Sequence, residues 1–323
     1  MKIHHTIILI IVALLVLFLF MKDSGENIKG INSQEETLFK NIGLQTNTLK
    51  SIIPLDEIIG GGPVKDGIPA LTNPKFINPD TVTDVPEDSL GILVQGGDEV
   101  KFYPYTVLVW HEIVNDTFGD IPIAITFCPL CGSAIAFERT VGDEIYEFGV
   151  SGKLWQSNLL MYDRTTESLW SQIEGRAVVG DLIETELTVY PSQLLSFSDA
   201  KNAYPNMQVL SSDTGYTRNY GFYPYGNYED NEDLIFPVNN LDLSLPAKTL
   251  MYASVINDEA VAFHREKLLD AKTAVLETKS GTITAKVSED NEITITDENA
   301  KTYPGYVTMW FSWANHNDGV VWK

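Results

Sequence analysis

The sequence predicts a mainly β protein, α+β with few helices. Antiparallel sheets are expected to form a sandwich- or barrel-like single domain behind an N-terminal membrane helix. Three observations carry this reading. Short segments rich in Val, Ile, Tyr and Phe recur along the chain, each bounded by Gly, Asp or Pro. Residues 282–287 and 293–296 alternate apolar and polar side chains, the period of a half-buried strand. Residues 7–21 form an unbroken apolar run.

That run follows Lys2, His4 and His5. It reaches roughly 22 Å as a helix against a bilayer core of about 30 Å, and its flanks extend it. No small-x-small cleavage site lies at residues 20–24 and no cysteine follows, so the segment reads as an uncleaved anchor. A cleaved signal segment is the alternative. Lys2 favours a cytoplasmic amino terminus, which makes the chain a single-pass protein of the cell membrane with an extracytoplasmic main domain. The organisation is then an anchor or signal segment over 1–22, a polar stalk over 23–50 and a β-rich domain over 51–323.

Composition bounds what that domain does. Of the 323 residues 44% are apolar and 11% aromatic, enough for a sizeable core, which excludes a disordered or fibrous chain. Lys plus Arg number 22 against 44 Asp plus Glu, a net charge of -22, and no basic patch offsets it. Such a surface repels phosphate backbones, so nucleic acid is excluded as a partner. Two cysteines do not make a disulfide-rich scaffold.

Strands are predicted over residues 100–110, 122–127, 133–141, 144–150, 159–162, 177–179 and 187–190. Residues 191–203 read as a helix, with Ser192 as its cap. Residues 204–231, rich in Tyr, Gly, Asn and Asp, read as a long surface loop.

The most informative stretch is Cys128-Pro129-Leu130-Cys131-Gly132. A thioredoxin-type pair needs a helix at its first cysteine, yet both flanks here look like strands. Strand, C-P-x-C-G, strand is the pattern of a metal knuckle. Proline sets the turn, and glycine takes the positive φ that aims N–H groups at sulfur. No second knuckle exists, so His111, and with it His316, would have to complete a site for zinc, copper or iron. Two readings compete: a Cys128–Cys131 disulfide closing a tight turn, and a thiol nucleophile with His111 as base and Asp116 as orienter.

The chain resembles domain-of-unknown-function family 3179 (DUF 3179). The matching stretches are residues 110–116 (WHEIVND), 128–134 (CPLCGSA), 148–152 (FGVSG), 160–164 (LMYDR), 168–172 (SLWSQ) with Gly175, and 309–314 (MWFSWA). The resemblance spans roughly residues 50 to 320 and brings no established activity with it. The family's end usually reads aromatic-His-Pro; here Asn315 precedes His316, and Asn317 follows it.

The remaining polar candidates have two readings each. Glu112, Asn115 and Asp116 follow His111, where an acid can orient the imidazole or cap a turn. Asp163 and Arg164 can hold an anion, or pair with each other and satisfy loop groups. Trp155, Trp170 and Gln172 can line a pocket, or sit in the core with a satisfied polar tip. Three functions remain: a transition-metal or redox centre, a binding ectodomain stapled by a disulfide with an aromatic loop around residues 216–228, and a thiol enzyme.

Overall fold

The computed structural model describes residues 43–323. The predicted anchor and most of the predicted stalk lie outside the described residues. Within them, no helix is long and apolar enough to cross a membrane. Of the stalk's last residues, Leu44 is fully buried in a cluster with Leu160 and Tyr162, so packing against the domain begins there.

The protein is mainly β, as the alternation predicts. A nine-stranded mixed sheet forms the centre. Its middle runs Ile113–Phe118, Ile121–Cys128, Ser133–Glu138, Tyr306–Met309, Leu250–Ile256 and Glu259–His264. Period-two alternation sends successive side chains to opposite faces. Ile123, Ile125 and Phe127 join Ile92, Val94 and Tyr103 of a five-stranded sheet in one core. Ala124 and Cys128 turn the other way, into a core with Phe148, Leu159 and Trp170 of a second five-stranded sheet. A four-stranded sheet over residues 273–303 packs Ile283, Ala285 and Ile295 against Tyr252 and Phe263. Three pairings are parallel, the longest joining Glu259–His264 to Gly319–Trp322.

Several predicted bounds shift for identifiable reasons. The strand expected over 100–110 ends at Pro104, and Tyr105–Leu108 turns helical. The helix expected over 191–203 is half strand. Ser192–Ser196 pairs with Leu90–Gly96, and the helix Phe197–Ala203 starts only there. Its cap is Ser196, whose Oγ accepts from Asp199 N at 3.1 Å, in place of Ser192. The loop expected over 204–231 contains the strand Gln208–Leu210, and its Tyr228 is buried. The terminal aromatic segment forms the helix Trp310–His316.

Candidate active site: a buried dithiol

Cys128 ends one strand of a hairpin and faces Ser133 at the start of the next, so Pro129 to Gly132 form a four-residue turn. The turn closes with Cys131 N donating to Cys128 O at 3.3 Å. Gly132 takes φ +55°, where an added Cβ would stand 3.2 Å from Met309 Cγ. Glycine therefore meets both the left-handed backbone and the tight packing.

Both thiols are free and buried. Alternation along Ile121–Cys128 puts Thr126 and Cys128 on one face, toward the sheet that carries Asn158 and Gln172. Asn158 Nδ2 donates to Cys131 Sγ at 3.1 Å, and Ser133 Oγ lies 3.3 Å from the same sulfur. Gln172 holds both side chains in place. Its Oε1 accepts from Ser133 Oγ at 2.6 Å and from Asn158 Nδ2 at 2.9 Å. Its Nε2 donates to Thr126 Oγ1 at 2.9 Å. Ile173 N donates to Asn158 Oδ1 at 3.1 Å, which fixes that amide with its NH2 toward sulfur.

Burial alone pushes both thiols up. At Cys131, hydrogen bonding with Cys128, Ser133 and Asn158 outweighs burial and brings the thiol below its ordinary value. Cys128 goes well up, through burial, its hydrogen bond to Cys131 and the negative charge there. Negative charge is thus favoured on Cys131 over Cys128.

Residues 65–303 match the model of a family described as protein of unknown function, DUF3179. The chain belongs to that family. No curated protein matches it, and no solved structure does. The DUF3179 segment contains both cysteines, Asn158 and Gln172, whereas Ser312 and His316 follow its end.

Glu112 completes the site from a strained position. It follows the helical turn Tyr105–Leu108 with φ +58°, a left-handed backbone uncommon outside glycine. Two 2.7 Å backbone bonds hold it there, from its N to Leu108 O and from Phe127 N to its O. Phe127 is the residue before Cys128, so this strap sets Glu112 beside the thiols. Among the described residues its carboxyl has no hydrogen-bond partner. Burial, with a further push from Cys131, raises that carboxyl to about 8.

The Tyr-rich stretch of residues 216–228 covers this centre. Tyr228 OH donates to Leu130 O inside the turn at 2.7 Å, and Lys248 Nζ stands 3.5 Å over the Tyr228 ring. Tyr225 is raised by burial, then by the charges of Glu112, Cys128 and Cys131.

The other predicted residues go elsewhere. His111 is buried with both ring nitrogens taken: Nδ1 donates to Pro69 O at 2.7 Å, and Nε2 accepts from Tyr220 OH at 2.8 Å. Burial lowers its pKa, consistent with that neutral ring. His316 bonds Ser312 O through Nδ1 at 2.9 Å and packs edge-on against Trp155. Its Nε2 is buried without a partner, and burial brings it down to about 4. Among the described residues no three His, Cys, Asp or Glu side chains are placed to hold a metal ion together. The set Cys128, Cys131, His111 and His316 therefore does not fit zinc, copper or iron in this arrangement.

Asn115 bridges two sheets, accepting from Phe148 N at 2.9 Å and donating to Phe148 O at 2.8 Å. Asp116 accepts from Tyr103 OH at 2.6 Å and pairs with Lys101 at 3.1 Å. Asp163 and Arg164 do not pair with each other. Arg164 pairs with Asp66 at 3.1 Å and Glu147 at 3.0 Å, whereas Asp163 takes loop N–H groups and Trp170 Nε1. Trp170 is thus a core ring with a satisfied tip.

Of the predicted set, then, only Glu112 and Gln172 join the cysteines. Asn158, Ser133, Ser312, Tyr225 and Tyr228 were not among the candidates. The one local signal for Asn158 is a polar residue at the head of an all-buried strand, Asn158–Asp163.

Proposed function

We propose that this DUF3179 protein is a thiol–disulfide oxidoreductase whose centre is the Cys128–Cys131 pair. The observation that carries the reading is Asn158 Nδ2 donating to Cys131 Sγ at 3.1 Å, with the second thiol, Cys128, beside it. Hydrogen bonds to sulfur favour the thiolate, the form that attacks disulfides.

The exchange balances with these groups. Cys131 thiolate attacks one sulfur of a substrate disulfide and releases the other as a thiolate, leaving a mixed disulfide. The protonated Glu112 carboxyl gives its proton to that first thiolate, and as a carboxylate it then takes the Cys128 proton while Cys128 attacks the Cys131 sulfur. The Cys128–Cys131 bond forms and the second substrate thiolate leaves, to take its proton from solvent. Glu112 ends protonated, as it began. The substrate gains two electrons and the protein dithiol loses two. A carboxyl raised to about 8 suits this work, because it both takes and returns a proton near neutral pH.

Access requires the Tyr228 contact on Leu130 to release. Membrane anchoring through residues 7–21 and an extracytoplasmic domain belong to the same reading. They rest on the apolar run and on Lys2, and they place the pair where disulfide substrates occur.

The test is equilibration of the full-length chain in glutathione buffers of graded poise, followed by acid quench and thiol counting by mass spectrometry. A single two-electron transition between dithiol and Cys128–Cys131 disulfide is expected, and Cys131→Ser should abolish it. Thiols that stay reduced at every poise would sink the proposal. So would about one equivalent of zinc, copper or iron that disappears in Cys128→Ser, since a metal would then be using the thiolates.

A further inference from the structure

A second concavity, about 370 Å³, opens between residues 84–90, the helical turn Tyr105–Leu108 and the loop at 220–229. Its wall carries four aromatic rings, Tyr105, Tyr220, Phe222 and Tyr223. Asp84, Asp88 and Glu229 add three exposed carboxylates, and no Lys, Arg or His lines it. Two hydroxyls of the wall, Tyr105 Oη and Thr106 Oγ1, are buried with no hydrogen-bond partner among the described residues.

We infer that this cavity binds a small organic cation of the alkylammonium class. Tyr220, Phe222 and Tyr223 supply ring surface, Tyr105 being stacked on Phe127 at 4.1 Å, and a carboxylate rim adds charge without a competing cation in the lining. An anion would meet only repulsion. A neutral apolar ligand would leave the carboxylates unused. The volume fits a headgroup with a short chain at the small end of ligand pockets.

The nearby cations lie outside the lining. Arg265 acts on Tyr105, and its Nη2 donates to Leu194 O at 2.9 Å. Arg218 acts on Tyr220 and bonds Thr217 O at 3.1 Å. Glu229 is positioned by Tyr223 OH, which donates to it at 2.8 Å. The carboxylate is thus held against the ring it works with.

Calorimetric titration of the full-length chain in neutral detergent, at about 0.15 M salt, tests the inference. The probes are choline and its uncharged isostere 3,3-dimethylbutan-1-ol. Choline should bind at least about tenfold more tightly than the isostere. Phe222→Ala and Glu229→Gln should each weaken choline binding about two- to fivefold. Phe222 is 56% exposed, so its removal leaves the core intact. Equal affinity for the two probes, or no binding of either up to about 10 mM, would overturn the assignment. Choline binding unchanged in both variants would also overturn it, because the general acidic surface would then be responsible.

Discussion

Two buried polar clusters meet the two ends of one strand, Asn158–Asp163, and behave as opposites. Around Asp163 the carboxylate accepts from Thr165 N, Thr166 N, Thr166 Oγ1, Ser168 N and Trp170 Nε1, all at 3.1 Å or less. Every donor comes from the next seven residues of the chain. Around Cys131 the neighbours come from separate strands, Ser312 Oγ has no hydrogen bond among the described residues, and burial raises the Glu112 carboxyl with no hydrogen bond to offset it. Burial is common to both. What separates a structural polar cluster from a reactive one is whether the valences close.

The comparison breaks most visibly at Asp163. Asp163→Ala leaves the Thr165 and Thr166 N–H groups and the Trp170 indole without their acceptor, and should lower urea stability by about 4 kcal/mol. The pH midpoint of Cys131 alkylation should stay where it was. A midpoint that moves along with the stability would mean that the two clusters act as one.

Glu112→Gln sharpens the other side. In the folded chain the carboxyl keeps its proton up to about 8, whereas in the unfolded chain it loses it near the ordinary 4.5. Between those values the folded state binds more protons, so Glu112 makes stability fall by up to about 1.4 kcal/mol per pH unit as pH rises. Toward alkaline pH the depressed Cys131 thiol works in the opposite sense, because the unfolded thiol then binds the extra proton. Unfolding of the Gln variant from pH 5 to 8 should show the falling component gone, together with slower closure of the Cys128–Cys131 disulfide. A slope that persists would place the titration elsewhere. Glu112 also keeps a left-handed backbone at a site glycine would fill without strain. Strain held beside a reactive group is consistent with selection for position over stability.

A smaller effect isolates the thiolate. Asn158→Leu removes the N–H that meets Cys131 Sγ, and the alkylation midpoint should rise by about one pH unit, equivalent to about 1.4 kcal/mol. An unmoved midpoint would leave Ser133 and Cys128 as the donors that matter.

These residues also show how far the sequence could be read. The strands at 122–127, 282–287 and 293–296 were legible, because period-two alternation is a local signal. Residues 191–203 were not: Leu194 and Leu195 fit either period, and pairing with Leu90–Gly96 decides the matter from far along the chain. In the site, Cys128 and Cys131 announce themselves by spacing. Glu112 was found for the wrong reason. Its place after His111 suits orienting the imidazole or capping a turn, yet the strained backbone sets it beside the thiols while His111 bonds Pro69 and Tyr220. Asn158 gave almost no signal, since its role exists only where two sheets face each other.

The gentlest test concerns the cover on the open cluster. Tyr228→Phe keeps the ring under Lys248 and removes only the hydroxyl that donates to Leu130 O. One such hydrogen bond is worth about 1 kcal/mol net, so the loop should open, and Cys131 should alkylate, about fivefold faster with the fold unchanged. Residues of this same stretch, Tyr220, Phe222 and Tyr223, line the aromatic cavity. A cation held there should therefore steady the loop and slow alkylation in the parent chain. If Tyr228→Phe alkylates at the parent rate, the hydroxyl is no latch, and reagents reach the dithiol by a route that leaves residues 216–228 in place.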